Sequence, residues 1–106
     1  MYNESITHTG QLWRWAGNGA AAWFFITIDG EAGEALSGTA LMRRLENGRR
    51  AGWGTIKVTA QLGASEWRTS VFPQKDNSGW MLPIKKAIRA AEGLHEGSSA
   101  KVTLNF

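Results

Sequence analysis

The side chains of this chain with chemistry to offer are two histidines, a scatter of carboxylates and several grouped cations. His8 and His95 are far apart, and neither stands at metal-ligand spacing from a carboxylate or a second histidine, so each is expected to be solvated. Cysteine is absent, which removes disulfides, thiolate catalysis and cysteine zinc sites together. There is no Gly-x-Ser-x-Gly motif, and Gly17-Asn18-Gly19 does not carry a strand into a helix as a phosphate-cradling loop would. Asp29, Glu31, Glu34, Glu46, Glu66, Asp76, Glu92 and Glu96 fall mostly in expected turns or helix ends, where solvation and capping account for them. A general acid and base would need two of them to meet in a pocket, which spacing does not indicate. No catalytic residue, metal ligand or cofactor is assigned.

Cations and tryptophans carry more information. Arg43-Arg44 and Arg49-Arg50 flank the end of an expected first helix, and Lys85, Lys86 and Arg89 share the exposed side of a second. Phosphate contact is one use for such groups. The plainer one is charge near a helix C-terminus, favourable by roughly 0.3–1 kcal/mol, and solubility. If the chain binds nucleic acid, Arg14, Arg68, Lys85, Lys86 and Arg89 are the residues expected to meet phosphates. If it binds a small ligand, a cleft beside Trp67, Arg68 and Trp80 is the expected place. Trp13 and Trp15 share one strand face, opposite Leu12 and Arg14, so a tryptophan pair is left partly exposed unless another element covers it.

The elements that must position these residues are mostly strands. Gln11–Trp15 reads as a strand followed by the Gly17-Asn18-Gly19 turn, and Trp23–Ile28 as a nearly continuous apolar strand, covered on both faces and central. Asp29-Gly30 breaks it. A helix carrying Ala35, Leu36, Leu41, Met42 and Leu45 follows, stopped by Asn47-Gly48; Gly33 and Ser37-Gly38 weaken it, and Ser37 is placed to cap a shorter helix from about Thr39. Gly54–Leu62 alternates strictly, with Ile56, Val58, Ala60 and Leu62 on one face, and forms a hairpin with Glu66–Phe72, ended by Pro73. After a polar loop, Trp80-Met81-Leu82 is a short strand. Pro83 then suits the first position of a helix with Ile84, Ala87, Ile88 and Ala91 on its apolar face, stopped at Gly93-Leu94. Val102, Leu104 and Phe106 mark a last strand.

Read as elements, Gln11–Ala60 and Glu66–Phe106 each run strand, strand, helix, strand, which points to an internal duplication. Trp13-Arg14 has a counterpart in Trp67-Arg68, and Trp23 in Trp80. Two such units facing each other close six strands into a barrel with a helix at each end and no open edge. The segment Leu82-Pro83-Ile84-Lys85-Lys86-Ala87-Ile88-Arg89, with Gly93-Leu94, Glu96-Gly97 and Val102-Thr103-Leu104, resembles the bacterial family called domain of unknown function 1905. So do Gly54-Thr55-Ile56-Lys57-Val58 and Trp67-Arg68-Thr69-Ser70-Val71-Phe72-Pro73, so the resemblance covers most of the chain. It implies a double-split β-barrel related in shape to AbrB-type regulators and MazE-type antitoxins, which reach such a barrel by dimerising. Ser98, where an Asp is often found, and Glu92, where an apolar or basic residue is usual, depart from the pattern as surface-turn differences. The resemblance supplies architecture and no established activity.

The length of 106 residues suits one domain over residues 1–106, and with no cysteine its stability has to come from burial and backbone pairing, to which 6 tryptophans contribute large apolar surfaces. The charge of +3 permits an anionic partner without requiring one. No long apolar run and no secretion signal is present, so the expected setting is cytoplasmic, without membrane contact. The fold expected is mainly β with two short helices, a six-stranded double-split barrel of pseudo-two-fold halves whose helices cap its ends. The function expected is a non-enzymatic binding or accessory module with an unknown partner, monomeric because its second half closes the barrel.

Overall fold

The computed structural model describes residues 4–16, 22–47, 54–75 and 78–106. Six strands and two helices follow in the order β1 (Ser5–Ala16), β2 (Ala22–Ile28), α1 (Gly30–Asn47), β3 (Ile56–Leu62), β4 (Ser65–Pro73), β5 (Trp80–Pro83), α2 (Lys86–Glu92) and β6 (Ser99–Asn105). The strands close into an antiparallel barrel in the order β1-β2-β5-β4-β3-β6, with β6 returning to β1. Alternation decides which side chains enter it: Leu12, Ile26, Ile28, Ile56, Val58, Ala60, Leu62, Val71, Leu82, Val102 and Leu104 all point inward and are buried. Trp67 and Trp80 join them, so two of the tryptophans fill the core.

Exchanging the two halves leaves this order unchanged. β1 and β4 trade places, as do β2 with β5 and β3 with β6, and every neighbouring pair maps onto another neighbouring pair. The third strand of each half pairs with the first strand of the other, β3 with β4 and β6 with β1, so neither half closes alone. The helices obey the same exchange, α1 lying against β1 and α2 against β4. The tryptophan correspondence does not. Trp23 pairs with Trp15 and Trp80 with Pro73, so equating Trp23 with Trp80 sets Trp13 opposite Val71 in the comparison, not Trp67. Trp23 also faces solvent while Trp80 faces the core. The duplication lives in the topology and not in these letters.

Three element expectations change. β2 is covered on one face only: Phe24, Ile26 and Ile28 point inward, and its apolar run is continuous because its outer face is aromatic as well. The first helix is a single span of 18 residues from Gly30, with Ser37 inside it and not at its cap. Burial of Ala32 and Leu36 against the barrel overrides the weak local propensity. Gly33 is needed where the helix crosses the end of β2, since a β-carbon there would lie 2.8 Å from the Ile28 carbonyl oxygen. Ser37 Oγ accepts a hydrogen bond from Trp80 Nε1 at 3.0 Å. In the second helix Pro83 ends β5 instead of starting α2, whose N-cap is Lys85. Ile84 and Ile88 are buried but Ala87 and Ala91 are exposed, so the apolar face is narrower than the spacing implied. Gly93 does end α2 in the left-handed conformation, and Leu94 N–H donates to Arg89 O at 2.9 Å. The Gly17-Asn18-Gly19 turn, Gly48 and Asp76 lie outside the described residues.

Candidate functional site

At one rim of the barrel three elements meet on Phe24. Its carbonyl accepts a hydrogen bond from Ile84 N–H at 2.9 Å, which fastens the β5–α2 connection to β2. From α2, the Arg89 guanidinium folds back over the Phe24 ring, 3.9 Å from the centroid, while its Nε–H donates to Ile84 O at 3.2 Å. From β1, Arg14 is the cross-strand partner of Phe24. Lys85 and Lys86 follow Ile84 directly and are exposed. Of the five cations singled out in the sequence, Arg89 thus sits on the ring, Arg14 stands opposite it in register, and Lys85 and Lys86 lie beside the connection fastened to it. Among the described residues none of them is in an ion pair. Arg89 is half-buried, so it does not share the open side of α2 with Lys85 and Lys86; its stacked and hydrogen-bonded position holds the charge in place.

Arg68 lies elsewhere. It is exposed on the outer face of β4, which stands opposite β1 around the barrel, and its cross-strand partner is Thr59. The expected ligand cleft is also divided. Trp67 and Arg68 line a shallow groove with Thr59, Glu66 and Asn105, whereas Trp80 lines a different cleft of about 610 Å³ beneath α1 with Asp29, Glu34, Ser37 and Arg44. Arg44 is exposed at that cleft, and Arg49 and Arg50 lie outside the described residues.

The histidines part company. His95 is exposed as expected. His8 points inward on β1, is only 16% exposed, and its Nε2 lies 3.4 Å from Asp29 Oδ1, so it is a partnered residue at the start of α1 and not a solvated one. Among the described residues no group of three or more histidines and carboxylates could hold a metal ion. Glu92 is no surface-turn difference either: its carboxylate accepts a 2.6 Å hydrogen bond from Ser65 Oγ and packs over Gly63 at the β3–β4 turn.

The outside of the barrel has two characters. Across β1, β6 and β3 the outward residues are Thr7, Thr9, Thr103, Lys101, Gln61 and Lys57, a polar solvated surface. On the β1–β2 hairpin the outward residues are Trp13, Trp15, Trp23 and Phe25. Trp13 and Phe25 pack with ring centroids 5.2 Å apart, and Trp13 Nε1 donates to Thr27 Oγ1 at 2.9 Å. Trp15 and Trp23 face each other in register and are 51% and 55% exposed. The sequence placed Trp13 and Trp15 on one face, but the matching pair on β2 was hidden in what read as a buried run.

These observations define a closed six-stranded antiparallel barrel, built of two interlocked halves, that presents a cationic rim around Phe24 and no gathered catalytic constellation among its described residues. Residues 8–104 match the family described as Domain of unknown function (DUF1905), and the chain belongs to that family. No match was found among curated proteins. No helix among the described residues is long and apolar enough to cross a membrane.

Proposed function

We propose that this domain is a non-enzymatic binding module whose contact surface is the Phe24 rim and whose partner is a polyanion, with nucleic acid the class that fits. The observation that carries the reading is the grouping of Arg89 stacked on Phe24, Arg14 opposite it in register and the exposed Lys85 and Lys86 next to Ile84, with no carboxylate paired to them among the described residues. One cation fixed on a ring with three exposed cations near it suits phosphate contact, which positions a partner without reading its sequence. Arg68, on the far side of the barrel, takes no part in that surface. A small-ligand role for Trp67, Arg68 and Trp80 is less favoured, because they line separate clefts.

Titration of a labelled oligonucleotide at two salt concentrations tests this. Binding is expected to weaken with salt, and R14A/K85A/K86A is expected to lower the magnitude of the log–log salt slope by about 2 on a single strand. Absence of binding at low salt, or an unchanged slope in the triple variant, rejects the rim. Within the same proposal the domain is a bacterial cytoplasmic monomer, the latter supported by a barrel that one chain closes, and it is kin in shape to AbrB-type and MazE-type barrels. Sedimentation is expected to return the mass of one chain.

A further inference from the structure

Beyond its last inward core residue, Leu12, the β1–β2 hairpin leaves the barrel. Pairing of β1 with β6 ends at Gln11, and pairing of β2 with β5 begins at Phe25. Trp13–Ala16 and Ala22–Phe24 therefore form a two-stranded ribbon whose β1 edge carries no strand partner among the described residues. One face of this ribbon bears Arg14 and Phe24, with Arg89 stacked on the latter. The other bears Trp15 and Trp23, whose rings stack on nothing among the described residues.

Resting on the polyanion reading above, we infer that the Trp15–Trp23 face is a base-stacking platform, so that the partner of the Phe24 rim is single-stranded nucleic acid. The indoles are large, flat and half exposed, and the ribbon under them is stiffened by the Trp13–Phe25 contact and the Trp13–Thr27 hydrogen bond. A strand laid along the free edge of β1 meets cations on one side and indole faces on the other. A duplex meets only the cations, because its base faces are already stacked on each other. The competing occupant, a second copy of this chain seated on the same tryptophans, would leave the cations on the opposite face of the ribbon without a partner, whereas a single strand engages both faces.

The test uses the full chain, fluorescein-labelled oligothymidylate and a labelled duplex of equal length, read by anisotropy, with circular dichroism to confirm folding of each variant. The wild-type protein is expected to prefer the single strand. W15A/W23A is expected to lose single-strand affinity by about tenfold or more, to keep its duplex affinity and salt slope, and to recover in W15F/W23F. Equal affinity for both forms, with W15A/W23A changing neither, overturns the platform and leaves the rim intact. No binding of either form at low salt overturns both. Sedimentation of a wild-type dimer that W15A/W23A converts to monomer overturns the platform in favour of self-association.

Discussion

Gly63, Ser65 and Glu92 show how much one residue can settle. Gly63 sits in the left-handed region at φ 59°, in the tight turn between β3 and β4, and a β-carbon added there would fall on the Glu92 carboxylate. Ser65→Ala is expected to lower stability by about 1 kcal/mol, the worth of a partly exposed hydrogen bond to a charged group. Gly63→Ala is expected to lose about 1–2 kcal/mol from its backbone conformation and, in addition, the displaced Ser65–Glu92 bond. In a Glu92→Ala background only the backbone part is expected, so urea denaturation of the four proteins should give a non-additive cycle; additivity would show that the carboxylate does not rest on the turn. None of this was legible along the chain, because Glu92 and Gly63 meet only when α2 closes over the turn. Trp23 and Trp80 make the same point. Identical side chains begin two equivalent strands, yet one faces water and the other the core, since a one-residue change of phase reverses a strand's faces.

Inside helix α1 two glycines, Gly33 and Gly38, look alike in sequence but not in the fold. Gly38 has open space where a β-carbon would go, so Gly38→Ala is expected to stabilise by about 0.5–1 kcal/mol through helix propensity. Gly33→Ala is expected to destabilise despite the same propensity gain, because its methyl group meets the Ile28 carbonyl, backbone that cannot turn aside. Thermal melts of the two variants should move in opposite directions. Strands were readable where one face is apolar and the other polar, as in β6, whose burial alternates throughout, and β3, where Thr59 on the outer face is the one buried exception. The pattern misled where both faces are apolar for different reasons, as in β2, and where a helix draws its stability from docking, as in α1. Four members of the cationic rim were visible as residues, but the stacking of Arg89 on Phe24 opposite Arg14 was not, since β1, β2 and α2 are brought together only by the fold.

For the whole molecule, the interlocking of halves makes a sharp expectation. A chain divided between Gly63 and Ala64 yields fragments of three strands each, and in each fragment the third strand has lost both of its partners. Separately the fragments are expected to show no cooperative unfolding, and mixed they are expected to recover the strand spectrum and the buried-tryptophan emission of Trp67 and Trp80. A fragment that folds cooperatively alone would mean that the halves are independent units. Closure into a barrel was inferable from the repeated element sequence, because two such units facing each other leave no open edge, whereas the order of strands around it came only from the fold. The pairing of β1 with β6 has a consequence in time. Glu4 and Phe106 exchange backbone hydrogen bonds at 3.0 Å, so the first strand of the domain is zipped to its last. On the ribosome β1 can pair early with β2, but its other edge stays open until β6 has been made, and the barrel closes only then.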